Sequence, residues 1–245
     1  MISTIWRGLG DLVRDMGWND AAQYIFARSL NRLSYGRIDL RKYYFCSQPI
    51  PDKSLLPARR GASIVVKQVD RSHPMVSVFP RPAQVITRRF NDGALCFLAT
   101  KEEKFVGFLW LQQNGYLEDE VRCRFTPAPA GQTIWDFDVH LETEYRASFA
   151  FARLWDTAND YLRNTGIKWS VSRISAFNPA SINSHVRLGA FPIASAYFFS
   201  GRRWQILVTG NRPYIHGSTG DHNIPELPLS ADPRNRKRYR RFLEK

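Results

Sequence analysis

Directly after a run of residues typical of a β-strand, the chain reads Asn178-Pro-Ala-Ser-Ile-Asn-Ser-His-Val-Arg-Leu-Gly-Ala-Phe191. Asn178 is a favoured N-cap residue, and Pro179 falls at the first helical position, where its missing N–H costs no hydrogen bond. Gly189 can end a helix in the left-handed conformation. The stretch therefore predicts a capped helix of about three turns.

This helix divides its side chains between a core and a polar face. Ile182 and Val186 are spaced i, i+4 and can face a core. Ser181, Ser184 and His185 remain for solvent or a cleft. The polar face carries a group that can transfer a proton, so we consider the helix a candidate site, with a surface histidine as the alternative.

Strand patterns surround the helix on both sides. The predicted elements are strands over 63–69, 94–100, 104–112 and 132–141, a helix over 151–164, a strand over 168–176, the capped helix, and strands over 193–199 and 204–208. Lys101-Glu-Glu103 and Ser200-Gly-Arg-Arg203 are the turns of two predicted hairpins. The sequence thus predicts an α+β domain with helices flanking a sheet.

The run over 132–141 alternates between apolar and polar residues, and side chains reverse at every residue of a strand. One predicted face holds Trp135, Phe137, Val139 and Leu141, and the other holds Asp136, Asp138 and His140. Asp136 or Asp138 could deprotonate an ammonium or anchor a cationic acceptor. If their face is buried, arginines such as Arg173 or Arg187 are expected to pair with them.

The first 60 residues are predicted to form a helical extension and a linker. Two amphipathic helices are expected, separated at Gly17. Their apolar stripes are Ile5, Leu9, Leu12 and Met16, then Ala22, Ile25, Phe26, Leu30 and Leu33. We expect both stripes to pack on the parent domain rather than on a membrane, because Asp11, Asp15 and Asp20 interrupt the basic face. A proline-rich connection follows over 48–61.

The composition is that of a soluble globular protein with an unusual net charge of +13. The tail over 231–245 holds seven basic and two acidic residues, a charge of +5, which leaves +8 for the rest. No apolar run reaches the roughly 20 residues that span a bilayer, and no secretory signal is recognised, so a cytoplasmic location is expected. Cys46, Cys96 and Cys123 are predicted to be reduced core or strand residues, and no metal site is expected.

Over residues 63–208 the chain resembles the Gcn5-related N-acetyltransferase (GNAT) superfamily. The hairpin with Phe105-Val-Gly-Phe108 resembles that family's second and third strands, and Thr133 to Leu141 resembles its fourth strand, leading into Glu144-Tyr-Arg146 and a long helix. The strand ending at Phe177 and the Asn178 to Gly189 helix are similar to the family's fifth strand and asparagine helix. The resemblance implies a mixed, mostly antiparallel central sheet flanked by helices.

The resemblance also implies acyl transfer from a thioester to an amine acceptor, with no permanently bound cofactor. The co-substrate would be acyl-CoA, acetyl or longer. His185 stands where the family often has a tyrosine that serves as the acid for the leaving thiolate. The resemblance places pantetheine and thioester contacts at Val139, His140, Leu141, Asn178 and Ser181.

The phosphate-binding loop departs from the family's pattern. Arg146-Ala-Ser-Phe-Ala-Phe151 carries Phe149 and Phe151 where the family has glycines that let phosphate approach the backbone. Arg146, Ala147 and Ser148 remain as an anion site at a helix start. The alternative donor is an acyl group on an acidic acyl carrier protein, which a basic, aromatic-lined entrance would suit. The same phenylalanines could instead pack the core.

Residues 61–210 are thus predicted to form the acyltransferase-like domain, and 211–245 a loop-rich basic tail. Two other function classes stay open. The domain could be a GNAT-like binding module without catalysis, or it could bind nucleic acid or an anionic surface through its tail, although no nucleic-acid motif is recognised. A homodimer through an exposed N-terminal helix and peripheral membrane contact also stay open.

Overall fold

The computed structural model describes residues 2–220 and 222–234, with side chains from residue 8 onward. The helices are α1 (Ile2–Leu33), α2 (Ala83–Asn91), α3 (Ala150–Asn164) and α4 (Pro179–Arg187), with 3₁₀ turns at Pro74–Val78 and Thr143–Tyr145. The strands are β1 (Asp39–Pro49), β2 (Val65–Val69), β3 (Leu95–Lys101), β4 (Lys104–Gln112), β5 (Tyr116–Leu117), β6 (Arg124–Ala128), β7 (Thr133–Leu141), β8 (Trp169–Ser175), β9 (Phe191–Ser200), β10 (Trp204–Thr209), β11 (Ile215–Thr219) and β12 (Glu226–Ser230). Most of the basic tail, 235–245, lies outside the described residues.

The chain divides into two compact units. The first comprises the described residues of Met1–Gln48, Gly115–Ala128 and Val171–Lys245, and the second comprises Pro49–Asn114 and Pro129–Ser170. In the first unit β1–β9, β9–β10 and β10–β11 pair antiparallel, and β6–β12 pair parallel in a separate three-stranded sheet. In the second unit β2–β3, β3–β4 and β4–β7 pair antiparallel. The α+β class with a mixed, mostly antiparallel sheet is therefore confirmed.

In the second unit the strand order is β7-β4-β3-β2. β3 and β4 form the predicted hairpin, and its two turn residues, Glu102 and Glu103, adopt left-handed backbone conformations that suit a tight hairpin turn. One face of β3 packs on α3 through an edge-to-face contact between Phe97 and Tyr161. The other face forms an aromatic core around Phe79, Phe108 and Trp110 with α2 and the first 3₁₀ turn.

A β-bulge in β7 corrects the predicted division of its faces. Trp110 of β4 lies opposite Asp138, but the next residue, Leu111, lies opposite Asp136, so Phe137 is an extra residue in the ladder. Neighbouring strand residues point to opposite faces, and therefore Asp136 and Asp138 do not share a face. Phe137 instead joins the Asp138 side, where its ring centroid lies 6.3 Å from that of Trp110. The alternating sequence pattern alone does not reveal the bulge.

In the first unit the strand order is β11-β10-β9-β1-β8, with β12-β6-β5 as a second sheet. No strand was predicted over 39–49. In the structure β1 occupies this segment and pairs with β9, with Asp39 opposite Ser200 at one end and Ser47 opposite Phe191 at the other. The central residues of β1 are buried on both faces, so the run lacks the alternation that marks a half-exposed strand. β11 and β12 likewise give regular structure to a segment expected to be loop-rich.

α1 breaks at Gly17, which has a φ of 76°, so the two predicted helical segments are confirmed. The predicted inward stripe of the second segment is wrong. Phe26 and Leu33 are exposed, whereas Asp20 and Ala27 are buried. The helix is held by a buried ion pair rather than by its apolar stripe: Lys42 Nζ lies 2.7 Å from Asp20 Oδ1.

The three cysteines are buried and free, as predicted for reduced core or strand residues. Burial raises the pKa of each thiol, to about 12 for Cys46. Among the described residues, no helix combines the length and the apolar character needed to cross a bilayer.

Candidate functional site

The residues singled out from the sequence fall into both units. The second unit holds Asp136, Asp138, Val139, His140, Leu141, Arg146, Ala147, Ser148, Phe149 and Phe151, and the first holds Asn178, Ser181 and His185.

The start of α4 has the predicted cap. Asn178 Oδ1 accepts a hydrogen bond from the Ser181 backbone N–H at 3.1 Å, and Pro179 occupies the first turn. Gly189 follows the helix with a φ of 87°. The Asn178 side chain is exposed, so its cap leaves it accessible at the helix N-terminus.

His185 lies on the buried side of α4. Only 6% of the residue is exposed, and burial lowers its pKa from 6.5 to about 4. The imidazole is therefore neutral at pH 7, and the imidazolium that best serves as a general acid forms only near pH 4. The catalytic role of His185 stays a prediction. Any such role would begin from the neutral imidazole at pH 7.

The buried His185 predicts acid lability of the first unit. Its pKa is depressed in the folded chain, so unfolded chains bind the proton more tightly, and stability is lost as pH falls from 6.5 towards 4. The shift corresponds to about 3 kcal/mol over that range. We expect His185→Phe to remove most of this loss when unfolding free energies at pH 7 and pH 4.5 are compared. His222 is exposed, so His222→Phe serves as the control and should keep the wild-type pH dependence of the unfolding free energy. If His185→Phe and His222→Phe show the same pH dependence, the prediction is contradicted.

Asp138 is held by two arginines on its face of β7. Arg81 Nε and Nη2 donate to Oδ2 and Oδ1 at 2.8 and 2.7 Å, and Arg89 Nη1 donates to Oδ2 at 2.6 Å. The guanidinium of Arg89 lies over the rings of Trp110 and Phe137, 5.4 and 5.0 Å from their centroids. Both carboxylate oxygens are thus engaged, and the arginines come from α2 and the loop before it.

These partners differ from those expected. Arg173 or Arg187 was expected to pair with the aspartates. Arg173 instead belongs to the first unit and forms a two-point ion pair with Glu118, with both contacts at 2.8 Å. Because Asp138 already accepts three hydrogen bonds, a structural role accounts for its burial. The catalytic roles of Asp136 and Asp138 stay predictions.

The exit of β7 combines a histidine with aromatic rings. His140 stacks on Phe105 at an interplanar angle of 11° and lies 5.5 Å from the Phe108 centroid. Its Nε2 is 3.2 Å from Glu142 Oε1. Val139 and Leu141 are half-buried beside it. His140 is therefore held by its neighbours at the end of β7, and the donor contacts of Val139, His140 and Leu141 stay predictions.

The loop between β7 and α3 is exposed over residues 146–149. Arg146 Nε donates to the Leu141 carbonyl at 3.2 Å, and Ser148 Oγ accepts from the Ala150 N–H at 3.1 Å. The helix N-terminus carries a partial positive charge. The N-terminus of α3 and Arg146 together form a surface on which a phosphate group would be stabilised.

The two phenylalanines of this loop differ in environment. Phe149 is 44% exposed, with the guanidinium of Arg60 over its ring at 5.8 Å, and Phe151 is half-buried. Phe149 therefore does not pack the core. Its ring is instead exposed beside the Arg60 guanidinium, in the loop where the phosphate site was predicted.

The first unit contains a groove that sequence reasoning missed. It has a volume of about 770 Å³ and lies between α1 and β1. Arg41 Nη1 and the Tyr43 hydroxyl both donate to Glu120 Oε2, at 3.0 and 2.7 Å. Burial alone would raise the pKa of Glu120, but Arg173, Tyr43 and Arg41 outweigh it and lower that pKa below its ordinary value. The groove was missed because β1, which lines one side, was not predicted.

Apart from the short strands β5 and β6, the order of elements from β3 to β10 is that implied by the resemblance: a hairpin, a strand, a long helix, a strand and a short asparagine-capped helix, followed by a second hairpin. The chain has a divergent GNAT-like fold. No protein-family model and no curated protein matches it.

Several solved structures are similar to this GNAT-like chain. A conserved protein of unknown function from Staphylococcus epidermidis ATCC 12228 is 11% identical, with a TM-score of 0.48 over 69% of this chain and 65% of its own. A tandem GNAT protein from the clavulanic acid biosynthesis pathway is 13% identical, with a TM-score of 0.47 over 71% and 58%. A GCN5-related N-acetyltransferase from Sphaerobacter thermophilus is 12% identical, with a TM-score of 0.46 over 70% and 54%. The matches cover less than two thirds of each of these proteins, and they concern the fold alone.

Proposed function

We propose that the chain is an N-acyltransferase that moves an acyl group from a thioester to an amine acceptor, with acyl-CoA as the donor. The observation that carries this proposal is the exposed Arg146–Phe149 loop at the N-terminus of α3, which follows the bulged strand β7 in the GNAT-like order. A cytoplasmic location, where acyl-CoA is available, is part of the proposal.

The loop would bind the donor differently from a glycine-rich loop. A phenylalanine at 149 carries a Cβ and a ring that restrict close approach of phosphate to the backbone. Arginine side chains can supply the missing contacts, because a guanidinium binds phosphate with two parallel N–H bonds. Arg146 and Arg60 are both exposed and available for this. The exposed ring of Phe149 would contact the apolar part of the donor.

Acyl transfer has three chemical requirements: a neutral amine, a donor to the tetrahedral oxyanion, and a proton for the leaving thiolate. As predicted from the sequence, we assign Asp136 or Asp138 to deprotonate or anchor the acceptor amine, and His185 to the leaving group. For Asp138 this role would require the amine to displace Arg81 or Arg89 from its carboxylate. At pH 7 a neutral His185 would stabilise the leaving thiolate by donating a hydrogen bond. The thiolate would then take its proton from solvent, to which the proton lost by the acceptor amine is released. His185→Phe should then lower turnover with little effect on donor binding.

Thermal unfolding of the whole chain with acetyl-CoA, longer acyl-CoAs and free CoA tests the donor site. A ligand at about 100 times its Kd stabilises the native state by about 2.7 kcal/mol. We expect a rise in Tm that depends on acyl length, and Arg146→Ala should reduce it. Arg71→Ala removes an exposed arginine outside the loop and should leave it unchanged.

The outcome without a shift is also informative. If no CoA species changes Tm, acyl-CoA is not the donor, and binding of an acylated carrier protein becomes the next measurement. Binding of neither donor would overturn the acyltransferase proposal and favour a GNAT-like binding module. Binding without transfer to any amine would favour the same module.

A further inference from the structure

The outward face of α1 is apolar, which is unusual for a surface helix. Trp18, Ile25, Phe26 and Leu33 fall within one stripe at helical spacing, and they lie opposite the side that packs on the unit. Trp18 is 73% exposed and Leu33 79%. Tyr35 continues the stripe just beyond the helix and is also exposed. Contiguous exposed apolar side chains of this size mark an interaction surface.

The charge around this stripe is positive. From residue 18 to residue 39 the basic residues are Arg28, Arg32 and Arg37, all exposed. The acidic ones are Asp20, buried against Lys42, and Asp39, paired with Arg41 at 2.7 Å. The Asp39 side chain is still 40% exposed, so the solvent-facing charge of this segment is +2. Asp11 and Asp15 were the acidic residues expected to disfavour membrane contact. Both precede the break at Gly17 and so lie outside this segment, and Asp11 pairs with Arg14.

The helix is fixed in place without using its apolar stripe. Asp20 accepts from Lys42 Nζ and from the Tyr44 hydroxyl, and the Tyr197 hydroxyl donates to Gln23 Oε1 at 3.1 Å. These contacts lie on the inner side of α1. The stripe is thus presented on a formed helix, and binding a partner requires no folding of this segment.

We propose that this face of α1, comprising Trp18, Ile25, Phe26, Leu33, Tyr35 and the three arginines, docks the protein on an anionic lipid bilayer. Aromatic and aliphatic side chains enter the interface of a bilayer while flanking arginines contact lipid phosphates. A second copy of the chain fits less well, because a two-fold contact through this stripe would bring two sets of three arginines together. The proposal is independent of the proposed acyl transfer.

Flotation of the full chain with vesicles tests the docking. We expect binding to vesicles that contain phosphatidylglycerol, weak binding to pure phosphatidylcholine, and release at high salt. Replacing Arg28, Arg32 and Arg37 by glutamine should weaken binding about fivefold per arginine, on the order of 100-fold for all three. Trp18→Ser with Phe26→Ser should weaken it at least tenfold at every salt concentration.

The matched control removes exposed apolar side chains elsewhere in the same unit. Tyr214→Ser with Ile215→Ser replaces two exposed residues at the start of β11 and should bind vesicles like the wild type. Far-ultraviolet circular dichroism verifies that each variant is folded. Absence of binding to phosphatidylglycerol vesicles, or equal loss in the control, would overturn the proposal. The proposal would also be overturned if the protein bound no vesicles but formed dimers that Trp18→Ser with Phe26→Ser abolishes. A second copy of the chain would then cover the stripe.

Discussion

Replacing Asp138 by alanine is expected to lower the free energy of unfolding of the second unit by about 3–5 kcal/mol. The substitution leaves the guanidinium of Arg89 buried, with 8% of its side chain exposed and its carboxylate partner removed. Desolvation of an unpaired charge, rather than the lost attraction itself, accounts for most of this effect. Chemical denaturation followed by circular dichroism measures it.

Two further variants show whether the buried charge is the cause. Asp160→Ala removes an exposed carboxylate that pairs with Arg163 on α3, and it should change stability by less than about 1 kcal/mol. Arg89→Met added to Asp138→Ala should restore much of the loss, because a buried ion pair can be replaced by apolar groups at little net cost. An Asp138→Ala effect as small as that of Asp160→Ala would contradict the explanation.

A loss of similar size, about 3–5 kcal/mol, is expected for Asp20→Ala in the first unit. Lys42 and Asp20 are both almost fully buried, and the carboxylate also accepts from the Tyr44 hydroxyl. Burial alone lowers the pKa of Lys42, but its hydrogen bonds to Asp20 and Tyr44 outweigh that effect and raise the pKa above its ordinary value. Without Asp20 the ammonium keeps its desolvation penalty and loses its compensation.

Equilibrium denaturation and limited proteolysis together test this expectation. We expect a lower midpoint of denaturation and earlier cleavage within α1, since the pair attaches this helix to β1. Asp11→Ala breaks the exposed pair with Arg14 and serves as the control, with little expected change in either readout. Unchanged proteolysis of α1 in Asp20→Ala would show that other contacts hold the helix.

Local signals in the sequence predicted much of this fold. The Asn178 cap, the Gly189 stop and the turn at Glu102 and Glu103 depend on a few neighbouring residues, and all three are present in the structure. The order of the other elements from β3 to β10 followed from the same kind of evidence, whereas β5 and β6 were not predicted. These features are predictable because backbone chemistry within a few residues determines them.

Features that depend on distant partners were not predicted. β1 is buried on both sides and shows no alternation, so nothing local identifies it as a strand. The bulge at Phe137 depends on the register with β4. Of the two arginines that hold Asp138, Arg89 comes from α2, which was not predicted, and Arg81 comes from the loop before it. For α1, the apolar stripe was assumed to face inward, whereas an ion pair with Lys42 decides its orientation.

The position of β1 has a consequence for synthesis on the ribosome. Both neighbours of this strand in its unit, β8 and β9, are encoded more than a hundred residues after it. At 5–20 residues per second, about 6–30 s pass before its hydrogen-bonding partners exist. During that interval a segment with three consecutive aromatic residues, Tyr43 to Phe45, has both edges unpaired and is prone to aggregation. Nascent chains of this protein are therefore expected to need chaperone protection until β9 has emerged.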